Sequence, residues 1–209
     1  IFTNNDDGWA TAKVLADRGL EVAAVIDSRN CEPVENIPGT LVIMGSKIVN
    51  TTGRKRIKRI ILSNGQSITC DCLAVSGGWS PNVHLTCHQG GRPKWDSTLN
   101  AFTPGENLPK NMVVSGSANG SFNLQAAFRE SLKVANIVLT DLDFKKSKIV
   151  VPSSSDDSYE SSAFWYVKES KKRGWVDFQN DVTVKDIKQS FAEGFRSVEH
   201  MKRYTTMGM

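Results

Sequence analysis

Ile1 to Asp27 reads IFTNNDDGWATAKVLADRGLEVAAVID. Ile1-Phe2-Thr3 has the character of a strand tail, and Asn5-Asp6-Asp7 supplies side chains that cap a helix. Trp9, Ala12, Val14, Leu15 and Ala16 then follow a helical period that stops at Gly19. Glu21 to Asp27 is an apolar run of strand length closed by an acid. Strand, helix and strand in so short a span predict a βαβ unit, and hence a parallel sheet. Such sheets bind nucleotides at the carboxyl ends of their strands, on a glycine-rich turn. Here Thr3-Asn4-Asn5-Asp6-Asp7-Gly8 holds the place of that turn. Asp6 and Asp7 would repel a pyrophosphate at the helix N-terminus. Asp27 lies where a ribose-binding acid belongs. A working dinucleotide site and a unit that has lost its cofactor are both open; the missing glycines favour the second.

Downstream, Leu41–Met44, Lys47–Val49, Arg56–Leu62 and Ser67–Thr69 are short strand-like runs. Asn64-Gly65 between the last two is a hairpin signal, so a β-meander is expected here. Cys72–Ser76 reads as a further buried strand, and residues 88–111 as an irregular connection. Met112–Ser115 is expected to be a strand, Gly116-Ser117-Ala118-Asn119-Gly120 a turn, and Phe122–Leu139 a helix. A turn bounded by glycines lets backbone N–H groups approach a phosphate, although glycine also appears there for steric reasons alone. Ser153–Ser162 is a linker by composition, and Trp165–Val167 is strand-like. A small helical region opens at Val182, with Thr183 as cap and Asp186 three residues on.

With 209 residues, 39% hydrophobic and 23% charged, the composition is that of a globular chain. A net charge of +4 favours an anionic ligand but is no nucleic-acid footprint. No apolar run approaches the roughly 18 residues of a membrane helix. The four cysteines, Cys31, Cys70, Cys72 and Cys87, read as reduced packing thiols, which suggests the cytoplasm. His84 and His88 lack the second ligand pair that zinc requires, so no metal is expected. Arg54-Lys55-Arg56 with Lys58 and Arg59 is read as a solvated basic hairpin. Neither end carries a boundary signal, and both are expected to be truncations.

Cys70–Leu85 (CDCLAVSGGWSPNVHL) and Val113–Leu139 (VVSGSANGSFNLQAAFRESLKVANIVL) resemble segments of flavoproteins with two dinucleotide folds, the thioredoxin and glutathione reductase group. Those enzymes carry Gly-Asp at the later turn, where the Asp contacts flavin; here Ser117 follows Gly116. Their redox C-x-x-C is missing as well, which disfavours an independent reductase. Trp175–Met209 (WVDFQNDVTVKDIKQSFAEGFRSVEHMKRYTTMGM) closely resembles the alpha subunits of heterotetrameric sarcosine oxidases. The FTNNDDGWATAKVL, SGGWSPNVHL and GSANGSF segments match that family in order. The tail is also similar to the helical domain of bacterioferritin-associated ferredoxins, which opens C-x-C. Asp177 and Gln179 stand at those two positions, so a two-iron cluster is not expected.

The resemblance implies an α/β, Rossmann-like two-dinucleotide-binding fold, incomplete, followed by a small helical module. Residues 1–140 are expected to form the partial FAD/NAD(P)-binding-like domain with its meander. Residues 141–162 would be a linker, and 163–209 the helical module. NAD is expected on Gly116, Ser117, Ala118, Asn119, Gly120 and Leu124. In the family an FMN lies between alpha and beta subunits, and Lys202, Arg203, Thr205 and Thr206 concentrate the donors its phosphate would want. A solvated basic helix end remains the alternative reading. FAD in the beta subunit, tetrahydrofolate in a downstream domain, and gamma and delta subunits complete the expected assembly. The whole enzyme would oxidise sarcosine to glycine with hydrogen peroxide, releasing formaldehyde or methylene-tetrahydrofolate. No residue here is expected to be catalytic. A non-catalytic nucleotide-fold scaffold in a related amine or opine oxidase complex is the second reading.

Overall fold

Asn5 accepts the Asp7 amide at 3.1 Å and opens helix α1 (Asp6–Asp17) after the short strand β1 (Phe2–Thr3). Asp6 and Asp7 sit in its first turn, where the helix dipole favours carboxylates. The helix buries Gly8, Trp9 and Ala12 and ends just before Gly19, whose φ of 80° turns the chain back. Strand β2 (Ala24–Asp27) is buried at every position, as a parallel strand covered on both faces must be. The chain is described here from a computed structural model covering residues 1–154 and 159–209. Residues 155–158, part of the expected Ser153–Ser162 linker, lie outside the described residues.

β1 and β2 pair in parallel, Phe2 opposite Ile26 and Thr3 opposite Asp27. Strand β3 (Leu41–Ile43) extends the sheet beyond β2. A meander of β4 (Ile48–Thr52), β5 (Arg59–Leu62) and β6 (Ser67–Thr69) follows, with Gly65 at a φ of 84° in its second turn. Strand β7 (Val75–Ser76) then joins the other side of β1, giving the parallel order β3-β2-β1-β7. The strand period of two sorts the core. Ala24 and Ile26 meet Ile60 and Leu62 of the meander, while Val25 meets Trp9, Ala12 and Ile37 on the helix side. The expected α/β class with a parallel sheet therefore holds.

Four local expectations fail. The buried strand at Cys72–Ser76 shrinks to two paired residues, with Val75 65% exposed, because β7 is the sheet edge. Met112–Ser115 makes no ladder, and neither does Trp165–Val167. Apolar and β-branched residues favour a strand only where a neighbouring edge offers hydrogen bonds. Conversely, the stretch 88–111 contains a hairpin, β8 (Lys94–Asp96) and β9 (Ala101–Thr103). Asp96 accepts the Thr98 and Leu99 amides, and Trp95 meets Phe102 across the strands with ring centroids 5.1 Å apart.

Helix α2 (Leu124–Asp141) starts where the Asn123 side chain accepts the Ala126 amide, and it buries only Gln125. The chain returns to the sheet at Phe164, whose ring lies 5.4 Å from that of Phe2. The hairpin of β10 (Trp175–Asp177) and β11 (Val182–Thr183) leads into helices α3 (Val184–Ala192) and α4 (Val198–Thr205). Thr183 and Asp186 form the capping box anticipated for α3.

Candidate functional site

The β1–α1 turn, where a Rossmann dinucleotide would lie, is filled by the protein itself. Thr3 and Asn5 are fully buried. Thr3 Oγ1 donates to the Asn5 carbonyl at 2.8 Å and accepts the Asn5 amide at 3.1 Å. The Asn5 side chain donates to Asn4 Oδ1 and to the Ser76 carbonyl, and accepts from Ser76 Oγ at 3.0 Å. The last glycine of such a turn serves helix-to-strand packing, the earlier ones the approach of pyrophosphate. Gly8 keeps the first role, since a Cβ there would stand 2.3 Å from Thr3 Oγ1. Thr3 and Asn5 place side chains where the backbone would have to meet the phosphates.

Asp27 is fully buried, and its carboxylate accepts Trp9 Nε1 at 2.8 Å, the Arg29 amide at 2.9 Å and Arg29 Nη2 at 2.8 Å. Arg29 also donates through Nη1 to Asp6 Oδ1 at 2.8 Å and to the Glu160 carbonyl at 3.1 Å. Glu160 returns its amide to Asp6 Oδ2 at 2.7 Å. Burial opposes the charge on Arg29, but its hydrogen bonds to the Asp27 and Asp6 carboxylates outweigh it and raise the guanidinium pKa. Asp27, expected where a ribose acid belongs, therefore serves as an internal counter-ion. Tyr159 to Ser162 closes over the turn: Asp6 N donates to the Glu160 carbonyl, Ser162 N to that of Asn4, and Trp79 N to Tyr159 Oη. The Trp79 indole donates to Asp7.

The second candidate, Gly116–Asn119, is a 3₁₀ turn ended by Gly120 at a φ of 90°. Its donors converge on one residue that the sequence reading overlooked. The Glu130 carboxylate, on α2, accepts the Gly116 amide at 2.8 Å, Ser121 Oγ at 2.8 Å and the Asn119 side chain. Partial burial alone would raise the Glu130 pKa; the bonds from Asn119, Ser121 and Gly116 bring it below the usual carboxylate range. Leu124, which follows at the start of α2, is 54% exposed. An anion already occupies part of the turn, so the site fits a ribose hydroxyl, which can donate to Glu130, better than a pyrophosphate.

Lys202, Arg203, Thr205 and Thr206 do share the end of α4. Lys202 pairs loosely with Glu199 at 3.8 Å, and Arg203 is exposed. Thr205 Oγ1 donates to the Met201 carbonyl at 2.8 Å, and Thr206 Oγ1 to that of Thr205 at 2.6 Å. Both hydroxyls are spent on the helix terminus, which leaves the two cations as the groups that fit a phosphate. No hydrogen bond or ion pair joins this helix end to the Gly116 turn among the described residues.

Asp177 organises the hairpin of β10 and β11 and ties the end of the chain to it. It accepts Asn180 Nδ2 at 2.9 Å, the Gly208 amide at 2.7 Å and the Gln179 amide at 2.8 Å. Those bonds, the Asn180 side chain first and Gly208 next, pull its pKa down to about 2. All four cysteines are free thiols, and no group of three or more metal-binding side chains exists among the described residues. No helix among them is long and apolar enough to cross a membrane.

Residues 171–209 match the sarcosine oxidase A3 domain family. The whole chain is 36% identical to the sarcosine oxidase alpha subunit of Rhizobium meliloti (strain 1021), covering 22% of that protein. It is 29% identical over 99% of its length to the corresponding subunit of Corynebacterium sp. (strain P-1), covering 24% of it. The chain thus spans about a quarter or less of the curated relatives it matches. Among solved structures, L-proline dehydrogenase from P. horikoshii superposes with a TM-score of 0.65 over 98% of this chain and 39% of that one, at 15% identity, a likeness of fold. From end to end the chain is similar to one segment of sarcosine oxidase alpha subunits, and its residues 171–209 match their A3 domain.

Proposed function

We propose that this chain is the dinucleotide-fold and helical-module part of an alpha subunit in a flavin-dependent sarcosine oxidase. The observation that carries the reading is the 36% identity to a named alpha subunit across the full chain. In the assembled enzyme, sarcosine is oxidised to glycine, with peroxide as the reduced product and formaldehyde or methylene-tetrahydrofolate carrying the methyl carbon. Bound flavin supplies the two-electron acceptor for that oxidation. NAD would lie against Gly116, Ser117, Ala118, Asn119, Gly120 and Leu124, with a ribose hydroxyl near Glu130. Lys202 and Arg203, with Thr205 and Thr206 beside them, would face the phosphate of an FMN shared with a beta subunit. FAD in that partner, tetrahydrofolate in another part of the subunit, gamma and delta subunits, and a cytoplasmic setting belong to the same proposal.

No residue of this chain is proposed to be catalytic; the role proposed for it is to hold and orient. The division into residues 1–140, a connection over 141–162 and a module over 163–209 is part of this reading. A non-catalytic scaffold is favoured by one observation: the side chains of Thr3 and Asn5 fill the β1–α1 turn, and Arg29 ties Asp6 to Glu160 beside it. The test is to co-express the whole alpha subunit with its beta partner and assay bound cofactors and sarcosine-dependent peroxide. Bound NAD and flavin with peroxide release is the expected outcome. A stable flavin complex without NAD, inert toward sarcosine, would leave the scaffold reading standing.

A further inference from the structure

Between the loop that precedes β10 and the first turn of α3 lies a cleft of about 770 Å³. Lys171, Lys172 and Arg173 line it from the loop, and Lys185 and Lys188 from the helix. Only Asp181 and Asp186 oppose these five cations within the lining. Asp186 is already engaged, accepting the Thr183 amide at 2.8 Å and Thr183 Oγ1 at 2.7 Å. None of the five cations has an ion pair among the described residues.

Two of the five cations rest against aromatic rings. Arg173 lies 5.6 Å from the centre of the Trp175 ring and Lys188 lies 5.4 Å from that of Tyr166. Such contacts position a charge without neutralising it. The loop is joined rigidly to the helix, because Val184 N donates to the Gly174 carbonyl at 2.8 Å. Gly174 leaves no slack, since a Cβ there would meet Tyr166 Cε2 at 3.0 Å and Val184 Cγ2 at 3.2 Å. Like charges gathered around a concavity repel one another, and a low-dielectric wall focuses their field into it. A bound anion relieves that repulsion.

We propose that this cleft binds a small phosphate-bearing molecule carrying two or more negative charges. An Arg fork beside several lysine point charges is the donor set such oxygens take, and the volume is that of a small-molecule site. A concave, local concentration of charge also differs from the extended basic stripe that a nucleic acid would need. Neither the Gly116 turn nor the end of α4 lines this cleft, although it adjoins, through Asp181 and Asp186, the cleft that reaches Thr205.

Inorganic pyrophosphate titrated calorimetrically into the whole chain is the test. Binding is expected, and should weaken about tenfold or more in K171Q/K172Q and again in K185Q/K188Q, with rising salt acting in the same direction. K145Q/K146Q, which removes as much charge elsewhere, should bind as the unaltered chain does. Circular dichroism of each variant establishes that it is folded, and Lys185→Arg, which keeps the charge, should retain binding. Competition by FMN would identify a flavin phosphate as the source; competition by free phosphate without FMN would identify an inorganic anion. No pyrophosphate binding, or equal loss in K145Q/K146Q, would overturn the proposal.

Discussion

Replacing Arg29 by Met preserves the aliphatic stem and removes the guanidinium that Asp27 depends on. Asp27 is fully buried and Arg29 has only 8% of its surface exposed, so water cannot take over. The carboxylate keeps the Trp9 indole and the residue-29 amide but loses its counter-ion and the Nε and Nη2 bonds. Removing one partner of a buried ion pair costs about 3–5 kcal/mol, much of it the burden of the charge left behind. Asp6 and the Glu160 carbonyl lose their Arg29 donor in the same step, so Tyr159–Ser162 should loosen from α1. Urea unfolding followed by tryptophan fluorescence and circular dichroism measures the loss. The double variant Asp27→Asn/Arg29→Met removes the stranded charge, and should recover about half of the deficit. A loss of under about 1 kcal/mol in the single variant would mean that Asp27 does not depend on the guanidinium and that the network contributes little. So would a double variant no more stable than the single one.

Gly8→Ala places a methyl 2.3 Å from Thr3 Oγ1 and should cost about 1–3 kcal/mol in the same unfolding assay. Asp177 has its pKa held at about 2, below the unfolded value of 3.8, so its stabilisation is complete above about 4 and is lost as pH falls toward 2. Asp177→Asn should flatten the melting temperature across that acid window while leaving its slope at neutral pH unchanged. Glu130→Ala removes the acceptor of the Gly116 amide, and hydrogen exchange at that amide should accelerate while β2 keeps its protection.

The βαβ unit, its cap at Asn5 and the capping box at Thr183 were legible because they rest on local periodicity and side-chain reach. The meander was legible from Asn64-Gly65. Asp27 was placed correctly at the end of β2 but its role was not, since the partner that claims it, Arg29, is fixed by Asp6 and by Glu160 far along the chain. Its only sequence signal was a cation two residues after the acid. Glu130 was hidden for the opposite reason: on a helix it looks like a solvated side chain, and only the fold brings the Gly116 turn onto it. Met112–Ser115 failed as a strand because a sheet edge is a tertiary resource that no hydrophobic pattern records. The grouping of Lys202, Arg203, Thr205 and Thr206 on one helix end was readable, but the return of both hydroxyls onto backbone carbonyls was not.

The β1–α1 turn is closed by side chains of the chain itself, whereas the Gly116 turn, its donors gathered on Glu130, is where NAD is proposed to lie. Hydrogen exchange on the intact alpha subunit, with and without NAD, tests it directly. Added protection at Gly116–Gly120 and Leu124, with Thr3–Gly8 unchanged, is the expected result. Protection at Thr3–Gly8 with release of Glu160 would contradict it, because the dinucleotide would then displace the Arg29 network.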